Sequence, residues 1–256
     1  MINKEKIIDL ILKAGEEILN IYHSADFEVE IKNDNSPLTK ADKAAHRIIM
    51  AGLKETGYPV LSEEGANVSY DERKSRKIYW LVDPLDGTKE FIKKNGEFTV
   101  NIALIYKNTP LWGFVFAPVL RVLYYGKAGE KAFKRTYNDD FSEYSEKEIK
   151  TVKPGEELII VASRSHLNEE TKDYIEKAGK PYKKVSFIQK GSSLKLVEVA
   201  EGKAHLYPRL APTMEWDTAA AHAVVLAAGG TVNKPDGTPL VYNKEDLLNP
   251  WFIVKA

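Results

Sequence analysis

The stretch Trp80-Leu81-Val82-Asp83-Pro84-Leu85-Asp86-Gly87-Thr88 constrains this chain more than any other. An apolar run over residues 78–82 reads as a buried strand. It is expected to stop at Asp83, because Pro84 has no amide proton to give a sheet interior. Two carboxylates then stand three positions apart, on either side of the Leu85 carbonyl. Gly87 allows a tight turn, and Thr88 offers a hydroxyl where a helix would start. Hard oxygen ligands at this density suit Mg2+, which takes carboxylates, carbonyls, water and substrate phosphate. Asp-Pro and Asp-Gly pairs also mark plain turns, so the choice between a turn and a metal site rests on the rest of the chain.

The bulk properties narrow the field. At 256 residues the chain can bury a large core, as one domain or two packed lobes. Its 37 basic and 37 acidic side chains cancel, which argues against a nucleic-acid coat or an electrostatic membrane anchor. There is no cysteine, so thiolate metals, disulfides and a cysteine nucleophile are excluded, and a metal must be held by oxygen or by the five histidines. The start of the chain reads as a charged amphipathic pattern rather than a signal peptide, and no apolar run reaches the length of about 18 residues that a membrane span needs. The cytoplasm is the expected location, with peripheral association at the inner membrane left open.

Ile7, Ile11, Ala14, Ile18 and Ile21 recur at helical spacing behind a cap at Asn3. Residues 27–32 alternate as a strand would. Thr39-Lys40-Ala41-Asp42 opens a second helix, and Thr39 with Asp42 matches a capping box, so local sequence makes Asp42 a cap. Val60-Leu61 reads as a short strand ending in Glu63-Glu64. Strands at 99–106, 111–117 and 122–126 form an antiparallel meander, whereas 137–154 shows no clear period and reads as a connection or a surface excursion. Beyond it strand and helix alternate: a strand over 158–162 ends in Ser163-Arg164-Ser165-His166, Gly191-Ser192-Ser193 leads into a helix, and Glu215-Trp216-Asp217 opens an alanine-rich helix closed by Gly229-Gly230.

Four acidic loci, Asp42, Glu63, the pair Asp83/Asp86 and Asp217, thus stand at strand ends or helix starts, where α/β proteins place ligand sites. With Glu63-Glu64, Asp83-Pro84-Leu85-Asp86-Gly87-Thr88 and Trp216-Asp217-Thr218-Ala219-Ala220 ahead of Gly229-Gly230, the chain resembles the inositol monophosphatase superfamily, whose fold is shared with fructose-1,6-bisphosphatase. Within it, Thr88-Lys89-Glu90-Phe91, residues 95–103, Ser163-Arg164-Ser165-His166 and Tyr207-Pro208-Arg209 are most similar to bacterial 3'(2'),5'-bisphosphate nucleotidases.

The resemblance implies an α+β, layered αβαβα sugar-phosphatase fold. An N-terminal lobe (1–135) would carry the meander sheet and most ligands, and a C-terminal mixed α/β lobe (155–256) would carry Asp217 and substrate contacts, with 136–154 between them. It implies Mg2+-dependent hydrolysis of the 3'-phosphate of adenosine 3',5'-bisphosphate or its phosphosulfate relative, with sensitivity to Li+. Glu63, Asp83 and the Leu85 carbonyl would hold one ion and Asp83, Asp86 and Asp217 a second, with room for a third near Glu63. Thr88, with Asp42 accepting its proton or orienting its hydroxyl, would activate water, and Glu63 would be the third catalytic residue. Asp86, Gly87, Thr88, Ser163, His166, Gly191, Ser192, Lys195 and Asp217 would meet the substrate, with Lys89 and Arg209 as weaker contacts. Trp216 is expected in the core. The alternatives are inositol monophosphatase or fructose-1,6-bisphosphatase activity on the same scaffold, and a non-catalytic phosphate or metal sensor. The expected partner is a small phosphomonoester, with a homodimer as one expected assembly.

Overall fold

The computed structural model describes residues 2–24, 29–31, 37–65, 68–162 and 168–256. Helix α1 (Lys4–His23) is capped by Asn3, whose side chain accepts the Glu5 and Lys6 amides, and buries the isoleucine face its spacing predicts. β1 (Glu30–Ile31) and β2 (Pro37–Leu38) form a two-stranded ribbon, so the strand expected over 27–32 is described only at its centre. Then come α2 (Lys40–Lys54), β3 (Val60–Ser62), a 3-10 turn at Glu63–Gly65 and α3 (Tyr70–Arg73). β4 (Ile78–Asp86), α4 (Thr88–Ile92), β5 (Thr99–Tyr106), β6 (Thr109–Ala117), β7 (Val122–Lys127), β8 (Ala132–Tyr137) and β9 (Tyr144–Ile149) follow. The rest comprises β10 (Glu157–Ala162), α5 (Glu169–Gly179), β11 (Lys184–Gln189), α6 (Leu194–Ala200), β12 (Leu206–Arg209), α7 (Glu215–Ala227), β13 (Thr231–Asn233) and β14 (Phe252–Lys255).

Strands β3 to β9 lie side by side in chain order in a seven-stranded sheet, antiparallel except for the β3/β4 pair. Its centre is apolar on both faces, and the alternation of side chains divides them cleanly. Trp80, Val82, Ile102, Phe114 and Phe116 pack with α1 and α2. Tyr79, Leu81, Ala103, Val115 and Tyr124 pack with α6 and α7. On the far side of α6 and α7 lies the five-stranded sheet, ordered β11-β10-β12-β14-β13, and α5 covers its outer face through a small core of Leu158, Ile160, Leu206 and Ile253. The order of layers is therefore helix, sheet, helix, sheet, helix.

Two expectations need correction. β4 does not end at Asp83 but continues through the buried Pro84 to Asp86. The ladder to β5 shifts register between Asp83, opposite Asn101, and Asp86, opposite Thr99, and this irregularity excuses the proline from donating a sheet hydrogen bond. Residues 144–149, expected within a connection, form β9, the edge of the larger sheet. An edge strand needs no apolar run, and its charges pair across the sheet instead, Arg135 with Glu146 (2.5 Å) and Lys131 with Glu148 (2.5 Å).

Close approach explains the alanines of α7. A Cβ on Gly113 of β6 would lie 1.9 Å from the Ala220 carbonyl oxygen, and one on Gly126 would lie 2.7 Å from the Ala227 methyl. Only glycine on the sheet and small residues on the helix permit that separation, and it sets where the N-terminus of α7 points. Among the described residues no helix is long and apolar enough to cross a membrane.

Candidate active site

The β4–α4 corner places Asp83, Leu85, Asp86 and Thr88 within six residues of chain. Asp83 is buried, and its Oδ1 accepts the Leu85 amide at 3.0 Å, which curls the backbone around the carboxylate. The Leu85 side chain anchors the corner in the α1/α2 core. Gly87, at φ +92°, makes the turn into α4; a side chain there would meet the Glu97 carbonyl and Ser192 at 3.3 Å. Thr88 follows as the first residue of α4. Its hydroxyl is 3.3 Å from both Asp42 Oδ1 and the Leu85 carbonyl.

Asp42 serves two ends at once. Oδ2 accepts the Thr39 amide (2.8 Å) and hydroxyl (2.5 Å), completing the capping box of α2, while Oδ1 faces Thr88. Burial raises its pKa to about 6, against the Thr39 hydrogen bonds, with Glu64 and Glu63 adding to the rise. The cap expected from local sequence is present on one oxygen, and the other oxygen is the one that meets Thr88.

Asp217 enters from the second half of the chain, on the first turn of α7, where its Oδ2 accepts the Met214 amide at 2.8 Å. One ligand atom each from Asp83, Asp86 and Asp217 lie within 4.8 Å of one another, the single group of this kind among the described residues. Burial, with neighbouring Glu63, Asp86 and Asp217, pushes Asp83 well above the carboxylate range, and burial with Asp86 and Glu63 does the same to Asp217. Glu63 is close enough to hydrogen-bond Asp83, though it lies outside that group of three. Carboxylates gathered this tightly and offering only oxygen repel one another unless a cation lies between them, so the donor set fits a hard divalent metal.

The cleft beside the cluster has a volume of about 410 Å³ and is bordered by Asp86, Gly87, Ser192, Lys195, Arg209 and Asp217, with Lys89 and Lys190 also on its wall. Tyr207 and Phe252, in edge-to-face contact with each other, also line it. Burial lowers the Lys195 pKa to about 8, although Asp86 acts to raise it. Lys195 is thus not a free surface lysine, and Trp216 packs in the core as expected. Ser163 and His166 lie outside the described residues.

Two predicted contacts are engaged with protein groups. Ser192 Oγ donates to Asp86 Oδ2 (2.5 Å), and the Gly191 amide donates to Glu97 (2.8 Å). The Ser193 amide (2.6 Å) and Asn101 Nδ2 (3.4 Å) also reach Asp86 Oδ2. Thr99 holds both serine hydroxyls at 2.7 Å. Glu97, Thr99, Asn101 and Ser193 were not anticipated. Thr99 and Asn101 did leave a signal, as polar residues on one face of a strand otherwise buried on both sides, in register with Asp86 and Asp83.

Residues 4–251 match the inositol monophosphatase family. The chain is 45% identical over 254 residues to 3'(2'),5'-bisphosphate nucleotidase CysQ of Salmonella typhimurium, covering 98% of each protein. It is 33% identical over 253 residues to the protein of that name from Haemophilus influenzae, covering 97% of this chain and 91% of that one. The crystal structure of CysQ from Bacteroides thetaiotaomicron, described as a bacterial member of the inositol monophosphatase family, superposes with a TM-score of 0.88 at 50% identity, over 98% of this chain and 96% of that one. SuhB of Bartonella henselae shares the fold, with a TM-score of 0.76 at 22% identity over 98% and 93% of the two chains. On sequence and architecture alike, this chain belongs to the inositol monophosphatase family.

Proposed function

We infer that this protein is a phosphoric monoester hydrolase, a 3'(2'),5'-bisphosphate nucleotidase that removes the 3'-phosphate of adenosine 3',5'-bisphosphate to leave AMP and phosphate. The observation that carries the reading is the meeting of Asp83, Asp86 and Asp217 within 4.8 Å beside the Thr88–Asp42 pair. The full-length identity to nucleotidases of that name supports the substrate class over an inositol or fructose phosphate.

Glu63, Asp83, the Leu85 carbonyl, Asp86 and Asp217 would hold Mg2+, two ions with a third near Glu63. Bound there, the ions would offset the negative charge of the phosphate and of these acids and lower the pKa of water. The chain's own part is positional. Thr88 donates its hydroxyl proton to Asp42, which leaves its lone pairs to accept a proton from a water molecule and so turn that water's oxygen toward phosphorus. The water proton would pass toward Asp42 through Thr88 as the new P–O bond forms and the P–O bond to the ribose 3'-oxygen breaks, and that oxygen would take a proton from solvent water to leave as the 3'-hydroxyl. Asp42 can accept only when ionised, and its raised pKa places loss of that state near pH 6. Backbone amides at Gly87 and Thr88 would donate hydrogen bonds to the phosphates, cationic side chains along the cleft, Lys195, Arg209 and Lys89 among them, would offset their charge, and Tyr207 and Phe252 add aromatic surface to the cleft lining. Ser163, His166, Gly191 and Ser192 complete the proposed substrate contacts.

Phosphate release from adenosine 3',5'-bisphosphate, inositol 1-phosphate and fructose 1,6-bisphosphate at equal Mg2+ is the test. The nucleotide is expected to be turned over best, and Li+ is expected to inhibit. A clear preference for either sugar-type ester would overturn the substrate assignment.

A further inference from the structure

The turn of α7 that carries Asp217 is clasped from outside the acidic cluster. Glu215, two residues before Asp217, is fully buried at 0% exposure. Its carboxylate accepts the amides of Asn243 (2.7 Å) and Lys244 (3.0 Å) and the Lys244 ammonium (2.5 Å). Asn249 holds the same turn from its other side, its side-chain amide donating to the Met214 carbonyl (2.8 Å) and the Thr218 hydroxyl (3.1 Å). The segment 243–249 is thereby wrapped onto the first turn of the helix.

That segment is in turn tied to the first half of the chain. Arg73, 3% exposed at the end of α3, donates to the Asn243 side chain (3.0 Å) and to the Lys244 (2.6 Å) and Glu245 (2.8 Å) carbonyls. Its own carbonyl accepts from Asn243 Nδ2 at 2.9 Å. Asn243 holds φ +63°, a conformation asparagine tolerates better than most residues, so the backbone is bent to make these contacts. A continuous set of bonds runs from the segment that follows Glu63 to the turn that presents Asp217.

Buried, hydrogen-bonded charges are weak evidence for stability, and a geometry they fix is the alternative reason to keep them. Here there is a geometry to fix. One ligand atom each of Asp217, Asp83 and Asp86 lie within 4.8 Å of one another, and like charges at that separation favour moving the end of α7 away from the sheet. We propose that Arg73 and Glu215 are positioning residues for Asp217, holding the helix turn against that repulsion at the separation a divalent cation requires. The inference rests on the reading of Asp217 as a metal ligand.

The test is Mn2+ titration of the full chain, with free ion followed by electron paramagnetic resonance and the fold by far-UV circular dichroism. Glu215→Gln is expected to weaken Mn2+ affinity about tenfold or more, the scale on which lost outer contacts act on metal ligands, with the fold retained. Asn249→Ala loosens the same turn without stranding a buried charge, and it is expected to weaken affinity in the same direction; it decides the matter if Glu215→Gln does not fold. Glu201→Gln is the control, because Glu201 is another largely enclosed ion-pair centre, its side chain 4% exposed and bound to Lys134 (2.7 Å) and Lys203 (3.0 Å), outside the cleft. It should lower the melting temperature and leave affinity unchanged. Undiminished affinity in folded Glu215→Gln and Asn249→Ala, or an equal loss in Glu201→Gln, would overturn the clasp. Undiminished affinity in Asp217→Asn would instead overturn the metal reading beneath it.

Discussion

The β4–α4 corner and the N-terminus of α7 supply acids to one cluster by opposite means. At the corner, Asp83 and Asp86 are separated by three positions, and their placement follows from a strand that is paired on both sides and turned by Gly87. At α7, Asp217 arrives from 131 positions beyond Asp86, on a helix whose approach is set by Gly113, Gly126 and a run of alanines. An acid supplied by a local turn needs only the turn. An acid supplied by a helix needs the whole interface beneath that helix.

The largest effects should come from the acids themselves. Asp83→Asn and Asp217→Asn are each expected to lower turnover by more than about 1,000-fold, several kcal/mol of barrier. In metal-free protein the same changes should raise the melting temperature, because each removes an acid whose ionised form burial and neighbouring carboxylates disfavour in the fold. Calorimetry with and without Mg2+ checks the reversal, and a metal-free protein destabilised by Asp217→Asn would contradict the repulsion argued here. Next, Thr88→Val should cost about 100-fold or more in kcat with a small change in KM, and Thr88→Ser should restore most of it, since only the hydroxyl is needed. Equal rates for the valine and serine variants would remove Thr88 from the chemistry.

Gly113→Val probes the other side of the comparison. Its side chain has no room beneath α7, so a loss of roughly 3 kcal/mol or more is expected by denaturant unfolding, together with weaker metal binding through Asp217. A comparable overpacking change far from α7 should cost stability alone.

The mildest effect is a pH dependence within α7. His222 is 3% exposed, with Nδ1 2.9 Å from the Tyr242 hydroxyl, and burial lowers its pKa to about 3. The folded chain thus keeps His222 neutral while the unfolded chain takes up a proton below about pH 6.5. Stability should be level above pH 6.5 and fall as pH drops, by roughly 2 kcal/mol between pH 6.5 and 5 from this group. His222→Asn should flatten that slope in urea titrations. A slope identical in the variant would mean that His222 protonates without unfolding.

Much of this was legible before any coordinates. The long helix behind Asn3, the capping box at Thr39, the meander from 99 to 126 and the alanine-rich helix of Asp217 all follow from periodicity and end signals. The misses share a cause. β9 escaped because an edge strand with charged side chains carries no apolar period. The continuation of β4 through Pro84 escaped because a register shift is a property of two strands, and one strand's sequence does not state it. Glu97, Thr99, Asn101 and Ser193 escaped because their partners lie far along the chain, apart from the local polar spacing of Thr99 and Asn101.

Sequence alone bounded the donor chemistry: no thiolate, oxygen or histidine only, and a proline-glycine corner that concentrates two carboxylates and a hydroxyl in six residues. It did so because those properties are local, set by residue type and backbone preference. Tertiary structure decided that Asp217 joins Asp83 and Asp86 within 4.8 Å, and that Asp42 divides its oxygens between a helix cap and Thr88. Those distances depend on how closely α7 and α2 pack on a sheet assembled from remote segments, and no short stretch of chain contains that information.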